Sequence, residues 1–418
     1  MLGGCFLSKI EVNMKNINRN FYAVIGVIIL LLTGFVYAWS VIGKSIGASY
    51  TNWTKAELSM TFTIVMIFFC IGGLIAGMLS KKIKPRVYVI ISAGLFLIGF
   101  LIASVATKTI ILYFGFGVLC GLASGLAYNA VMSTVSLWFT DKQGLISGVL
   151  LMGFGISSFI FGKVFAEIAP ADGGDTWRIV FKVFAVAFFV ILIVCSIFVV
   201  RPENDCYTKK ISPQKSIREP AMEAPPEKVV KNVSFWMYYV WSFLMGAAGL
   251  ALVSQASGIA GQIGSNVSDS SIVTVVGLIS IFNGVGRVFF GYLFDRKGYK
   301  ATILIDIVIF VVTGLILMVA LLTGQFILII IGFVSGGLAY GGVTPTNSAI
   351  INDFFGRKYF SINFSLVNTN LIIASFASTI AGKLYDSSQS YFSTIILMIV
   401  LTVLGFFVFV GIKRPEIN

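Results

Sequence analysis

Long apolar runs separated by short polar turns repeat along the whole chain. Each run holds about 20 residues, the length an α-helix needs to cross the hydrocarbon core of a bilayer. They fall near 21–46, 56–80, 87–106, 110–138, 144–168, 177–200, 235–260, 271–294, 301–322, 326–350, 360–384 and 390–412, twelve in all. One polar stretch is much longer than the others. Residues 201–233, rich in Lys, Glu and Pro, read as a flexible linker between two halves, 21–200 and 234–412. Residues 1–20 and 413–418 remain as short polar ends. The pattern predicts an all-α membrane protein of twelve transmembrane helices in two six-helix bundles.

Composition agrees with this class. Of 418 residues, 57% are hydrophobic and 11% charged, whereas soluble domains carry roughly a quarter charged residues. The net charge of +13 would point to nucleic acid in a soluble protein. Here its distribution gives another cause. The even-numbered connections hold Lys81, Lys82, Lys84 and Arg86, then Lys142, seven basic residues of the linker, Arg296, Lys297 and Lys300, and Arg357 and Lys358. The odd-numbered ones hold Lys55, Lys108, Arg178 and Lys383. Basic loops stay on the cytoplasmic side, so the linker and both termini are expected there, in a multi-pass protein of the cell membrane. The lipid bilayer is the expected partner; nucleic acid is not.

Catalytic classes fall away. There is no histidine, and the five cysteines (Cys5, Cys70, Cys120, Cys195, Cys206) show no paired or metal-ligand spacing. With no nucleophile–base arrangement and no phosphate-binding loop, neither an enzyme, a metal site nor a cofactor is expected. Leu2-Gly-Gly-Cys5 lacks the charged and apolar regions that precede a lipoprotein cleavage box. Translation can begin at Met1 or at Met14.

The halves repeat one another. Gly77-Met-Leu-Ser-Lys-Lys-Ile-Lys-Pro-Arg86 follows the second span and Gly291-Tyr-Leu-Phe-Asp-Arg-Lys-Gly-Tyr-Lys300 the eighth, 214 residues later. Ser124-Gly-Leu-Ala-Tyr128 recurs as Ser335-Gly-Gly-Leu-Ala-Tyr340, with the tyrosines 212 residues apart. Duplication at six-helix spacing argues for two bundles facing each other across a central path.

Arg287 is the residue that suggests a cargo. It stands eight residues before Asp295, or roughly 12 Å along the helix from the charged turn. A cation at that depth costs at least ~3 kcal/mol and marks a substrate or ion pathway. A buried ion pair would be the structural alternative. No acid is expected at comparable depth, with Asp306 near the cytoplasmic end of the ninth span and Glu57 near the outer start of the second. An anionic substrate is therefore the preferred counter-ion, and the guanidinium fork suits a carboxylate. Asn283 shares the face of Arg287 one turn earlier, where its amide can reach a substrate or bridge helices. Tyr37, Tyr128 and Tyr340 are mid-span phenols that can wall a small cavity. Asn368 and Asn370 lie roughly 200° apart on a helix, so both cannot face inward.

The turn at 291–300 resembles the signature of the major facilitator superfamily, Gly-x-x-x-Asp-Arg/Lys-x-Gly-Arg/Lys-Arg/Lys, with Tyr299 in place of one base. The resemblance implies that Gly291, Asp295, Arg296 and Gly298, with Gly77 from the first copy, latch the halves in one conformation. The first copy departs from the signature at Lys81, Lys84 and Pro85, which leaves Asp295 to carry that role. A narrower resemblance is to the oxalate/formate antiporter family, related to the monocarboxylate porters. It rests on Tyr37-Ala-Trp39-Ser, Trp138-Phe-Thr-Asp-Lys-Gln-Gly144-Leu and Asp353-Phe-Phe-Gly356, and runs from about Phe21 to the end of the twelfth span.

That resemblance implies that Arg287 contacts the substrate carboxylate and selects Asn368, rather than Asn370, as the inward residue. Where many monocarboxylate porters have an aspartate, this chain has Asn283. Where oxalate carriers have a second base in the eleventh span, it has Leu371. One buried cation instead of two favours a monoanion. The expectation is a carrier of small monocarboxylates such as formate, lactate or pyruvate, by antiport or proton-linked symport, working as a monomer. Its rivals are a drug or sugar carrier with a structural Arg287, oxalate/formate exchange proper, and a sensor without flux.

Overall fold

The computed structural model describes residues 18–139, 141–170, 173–202, 220–263, 267 and 269–415. Cys5, Cys206, the two candidate start sites and most of the basic linker lie outside them. Among the described residues, eleven helical stretches are long and apolar enough to cross a membrane. One of these, Thr274–Thr323, is two spans joined at Gly298, the single non-helical residue inside it, with φ 76°. Twelve spans result.

Helix α1 runs Arg19–Thr33, tightens to a 3₁₀ turn over Gly34–Ala38 and ends as Trp39–Ser49. Helix α2 is Lys55–Met78, capped by Thr54 and Glu57 in a reciprocal capping box. Helices α3 (Pro85–Ser104), α4 (Thr109–Trp138, with a π-helical stretch Tyr113–Cys120), α5 (Gln143–Ile168) and α6 (Thr176–Ser196) complete the first half. The second half comprises α7 (Val233–Ile263), α8 (269–297), α9 (299–323), α10 (Phe326–Phe355), α11 (Phe360–Asn368 continued by Asn370–Ser388) and α12 (Phe392–Val410).

The helices sort their faces as a bilayer requires. On α6, Ile179, Val183, Val186 and Val190 are all more than half exposed and recur every three or four residues, forming one outward stripe suited to lipid. The opposite face is aromatic. Phe184 and Phe188 pack edge-on against Phe35 at ring distances of 5.2 and 5.6 Å, inside a first-half core that also holds Phe100 and Phe116.

Two signature tryptophans are structural. Trp39 Nε1 donates to the Leu58 carbonyl at 2.9 Å, and Trp138 stacks on Tyr22 at 4.2 Å while donating to the Val200 carbonyl at 3.0 Å. Beside Trp138, Arg19 binds Asp141 at 2.7 Å. Partial burial alone would raise the Asp141 carboxyl, but the Arg19 hydrogen bond and charge outweigh it and hold the group below its ordinary range.

The two halves meet through α5 on α8, α2 and α4 on α11, and α5 on α10. Their polar ties cluster at the end that carries the linker. Asp295 accepts from the backbone N–H groups of Gly144 and Leu145 at 2.9 and 2.8 Å, so an α8 carboxylate caps the start of α5. Asn129 of α4 donates to the Ser361 carbonyl at 2.9 Å and to Ser365 Oγ at 2.6 Å on α11. Ser147 and Ser348 join α5 to α10 at 2.8 Å.

The last part of the linker is held firmly. Ala221 and Ala224 donate backbone N–H to the carbonyls of Asp353 and Phe355 at 2.9 and 3.1 Å. The Glu223 carboxylate accepts from the backbone N–H of Arg357 and Lys358 at 3.1 and 3.0 Å. The expected flexible tether therefore does not extend through residues 220–232. The rest, 203–219, lies outside the described residues.

Candidate functional site at the bundle interface

Arg287 is 4% exposed and lies where α8 meets α5. Its Nε donates to Asn283 Oδ1 at 3.0 Å and its Nη1 to the Leu151 carbonyl of the opposite half, also at 3.0 Å. The i, i+4 pairing of Asn283 and Arg287 is the one that helical spacing predicts. Gly155 on α5 makes room for it: a Cβ there would stand 2.9 Å from Asn283 Oδ1 and 3.1 Å from Arg287 Nε. Among the described residues, no carboxylate is within ion-pair distance of Arg287. Its partners are neutral oxygens.

Three phenols and a set of rings complete the surroundings. Tyr37 from α1, Tyr128 from α4 and Tyr340 from α10 are all electrostatic neighbours of the guanidinium. Thus the tyrosines named from the sequence converge on Arg287 from three helices and both halves. Phe154 lies under the cation at 5.6 Å from its centroid. Around Phe154, Tyr37 packs at 5.2 Å, Tyr128 at 5.3 Å and Phe69 at 5.9 Å, and Phe364 stacks on Tyr128 at 5.7 Å. Tyr37 and Trp39, two residues apart on α1, face different sides of the helix and so serve different neighbours.

Behind the phenols runs a polar network that the sequence did not reveal. Asn368 is within hydrogen-bonding reach of the Tyr128 hydroxyl, and its Oδ1 accepts from Asn347 Nδ2 at 3.2 Å. Asn347 Oδ1 in turn accepts from Tyr238 and Ser242 hydroxyls, both at 2.7 Å. Asn370 is also buried, but its amide donates to Ser242 at 2.7 Å. Asn368 and Asn370 thus diverge as their spacing requires, with Asn368 on the side of the central phenols. Asn347, on α10 two residues after Pro345, is the site-proximal residue that carried no sequence signal.

The latch residues divide into two groups. Gly291 presses against α5, where a Cβ would stand 2.2 Å from the Gly144 carbonyl. Gly77 presses against α11, 2.6 Å from Ser365 Oγ by the same measure. Asp295 makes the capping contact, and Gly298 supplies the break between α8 and α9. Arg296 does none of this; it lies over the Tyr292 ring at 5.2 Å.

One sequence expectation shifts. Asp306 lies in the third of the ninth span nearest the basic turn, but further in than its distance from Lys300 suggested. Helix α9 starts directly after Gly298, so Asp306 is already roughly 12 Å into it, whereas Arg287 lies roughly 16 Å from the same break along α8, a little deeper. It is 1% exposed, and its Oδ1 lies against Gly342 of α10, within the second half.

Comparison with known proteins places this architecture. The profile of the Major Facilitator Superfamily matches residues 21–379, with a second match over 266–417. The chain belongs to the major facilitator superfamily. It is therefore a transporter rather than an enzyme, and a multi-pass membrane protein. As a facilitator-family chain it is similar to the oxalate:formate antiporter of Oxalobacter formigenes, 24% identical over 360 residues, covering 83% of this chain and 80% of that protein. It is also similar to monocarboxylate transporter 12-B of Danio rerio, 23% identical over 372 residues, covering 84% and 76%. Its fold is shared with the proton:xylose symporter XylE bound to 6-bromo-6-deoxy-D-glucose. That likeness has a TM-score of 0.71 at 14% identity, covering 96% of this chain and 98% of the other.

Proposed function

We propose that this facilitator carries a small monocarboxylate, of the size of formate, lactate or pyruvate, with Arg287 as the charge that receives the carboxylate. The observation that carries the reading is the position of Arg287: buried between the halves, with neutral oxygen partners and ringed by Tyr37, Tyr128 and Tyr340. A cation so placed costs several kcal/mol unless an anion joins it. The named activities of the oxalate:formate and monocarboxylate relatives support the same substrate class. Leu371 stands where the resemblance to oxalate carriers asks for a second base, which favours one negative charge on the cargo over two.

The mechanism follows from the packing. The linker end, basic and therefore cytoplasmic, is held closed by Asp295 on α5 and by Asn129 on α11. A carboxylate entering from the other side takes the guanidinium donors now given to Leu151 and Asn283, with phenol hydroxyls of Tyr37, Tyr128 and Tyr340 completing its shell and Asn368 holding Tyr128. Neutralising Arg287 lets the halves rock and open the linker end. One chain of this kind contains the full path and works as a monomer.

Uptake of labelled formate, lactate, pyruvate, oxalate and xylose into proteoliposomes tests the reading. Saturable uptake of a monocarboxylate in preference to oxalate and xylose is expected; uptake of sugar without any carboxylate would overturn it.

A further inference from the structure

Asp306 is unused by the mechanism above. It is 1% exposed, and neither carboxyl oxygen receives a hydrogen bond. Its place is close behind the substrate site. Two adjacent glycines of α10 separate it from Arg287: a Cβ on Gly341 would stand 3.1 Å from the Arg287 backbone nitrogen, and one on Gly342 would stand 2.8 Å from Asp306 Oδ1. Phe290 closes the remaining side, 2.7 Å from the same Gly342 Cβ position.

The groups that face it from each neighbouring helix are few. Helix α7 presents Tyr238, its electrostatic neighbour. Helix α10 carries Tyr340, which turns to Arg287, and Asp353, which pairs with Arg414 at 3.1 Å. The described part of α12, Phe392–Val410, contains no titratable residue, and Arg287 on α8 directs its guanidinium to α5. A carboxylate in such surroundings is costly unless a balancing cation or a proton accompanies it. From Tyr238 the hydrogen-bonded series Asn347 then Asn368 leads to the reach of Tyr128, beside Arg287.

We propose that Asp306 is a proton-binding site that couples transport to the proton gradient, one proton for each monoanion. The proposal rests on the monocarboxylate reading of Arg287. Charge balance is the reason. With Arg287 cationic and Asp306 ionised, the second half carries no net buried charge; with an anion on Arg287, it stays neutral only if Asp306 is protonated. Each of these two forms can reorient without moving net charge through hydrocarbon. On loading, a carboxylate oxygen takes a proton from hydronium and leaves water. On release the O–H bond breaks heterolytically and the proton returns to water at the hydrated, opened linker end. Nothing is oxidised or reduced.

The test is labelled monocarboxylate uptake into proteoliposomes under an imposed proton gradient, in wild type and Asp306→Asn. For one proton per anion, a gradient of one pH unit accumulates the wild-type cargo about tenfold. Asp306→Asn still equilibrates the label but accumulates none. Accumulation by Asp306→Asn equal to wild type would overturn the proposal, as would wild-type exchange with no response to the gradient. In the latter case the carboxylate reading survives; absence of any carboxylate exchange would end both. A second measurement guards against a misfolded variant: purified wild type in weakly buffered solution should take up about one proton per bound anion, and binding with no proton uptake between pH 5.5 and 8 would overturn the assignment.

Discussion

Arg287 of α8 donates to the backbone carbonyl of Leu151 on α5 across a gap of 3.0 Å. The charge in the substrate path is thus also a tie between the two halves. A ligand that takes this donor exchanges one inter-bundle contact for a contact of its own. Cargo binding and bundle movement then act on the same guanidinium.

The second tie is Asp295, whose two oxygens cap Gly144 and Leu145. A charge at a helix start contributes about 0.3–2 kcal/mol. Asp295→Asn keeps the shape but loses the charge and one acceptor oxygen. The population open at the linker end should rise by roughly 2- to 30-fold. Spin labels at exposed positions of the two halves near that end should report a longer-distance population; an unchanged distance distribution would remove Asp295 from the latch.

Tyr340 approaches the guanidinium from the second half. Tyr340→Phe keeps the ring and deletes the hydroxyl. If that hydroxyl donates to the bound carboxylate, KM should rise about 2- to 12-fold, the equivalent of one net hydrogen bond, with kcat less affected. A KM equal to wild type would confine Tyr340 to packing.

Asn347 joins Tyr238, Ser242 and Asn368 through one amide. Asn347→Ala leaves several buried groups without partners, at about 1–3 kcal/mol each. The purified variant should melt several degrees below wild type in detergent. Melting at the wild-type temperature would mean that the network reforms around the gap.

The span count, the duplication and the Asn283–Arg287 pairing were legible because helix length and the 3.6-residue period are local properties. The position of Asp306 was not. A polar, charged turn at 291–300 reads as a loop, yet helical geometry continues through Lys297 and breaks at Gly298 alone. That single-residue connection sinks Asp306 deeper than its distance from the charges implies. The aromatic wall was hidden for another reason. The chain has 38 phenylalanines, and which of them face the centre depends on the rotation of each helix, set by packing between helices distant in sequence. Tyr37 was found because its signature is local, Phe154 missed because it has none. Asn347 resembles any polar residue inside a span until Tyr238 and Asn368 are brought beside it.

The central claim is that Arg287 binds the cargo's carboxylate, and the most direct measurement is monocarboxylate transport by Arg287→Ala and Arg287→Lys in proteoliposomes, beside wild type at matched reconstitution. Loss of a charge-assisted contact of about 1.5–3 kcal/mol predicts at least a tenfold fall in kcat/KM for Arg287→Ala. Arg287→Lys should be impaired because a point charge cannot reproduce the two-pronged guanidinium. Carboxylate transport by Arg287→Ala at the wild-type rate would contradict the account.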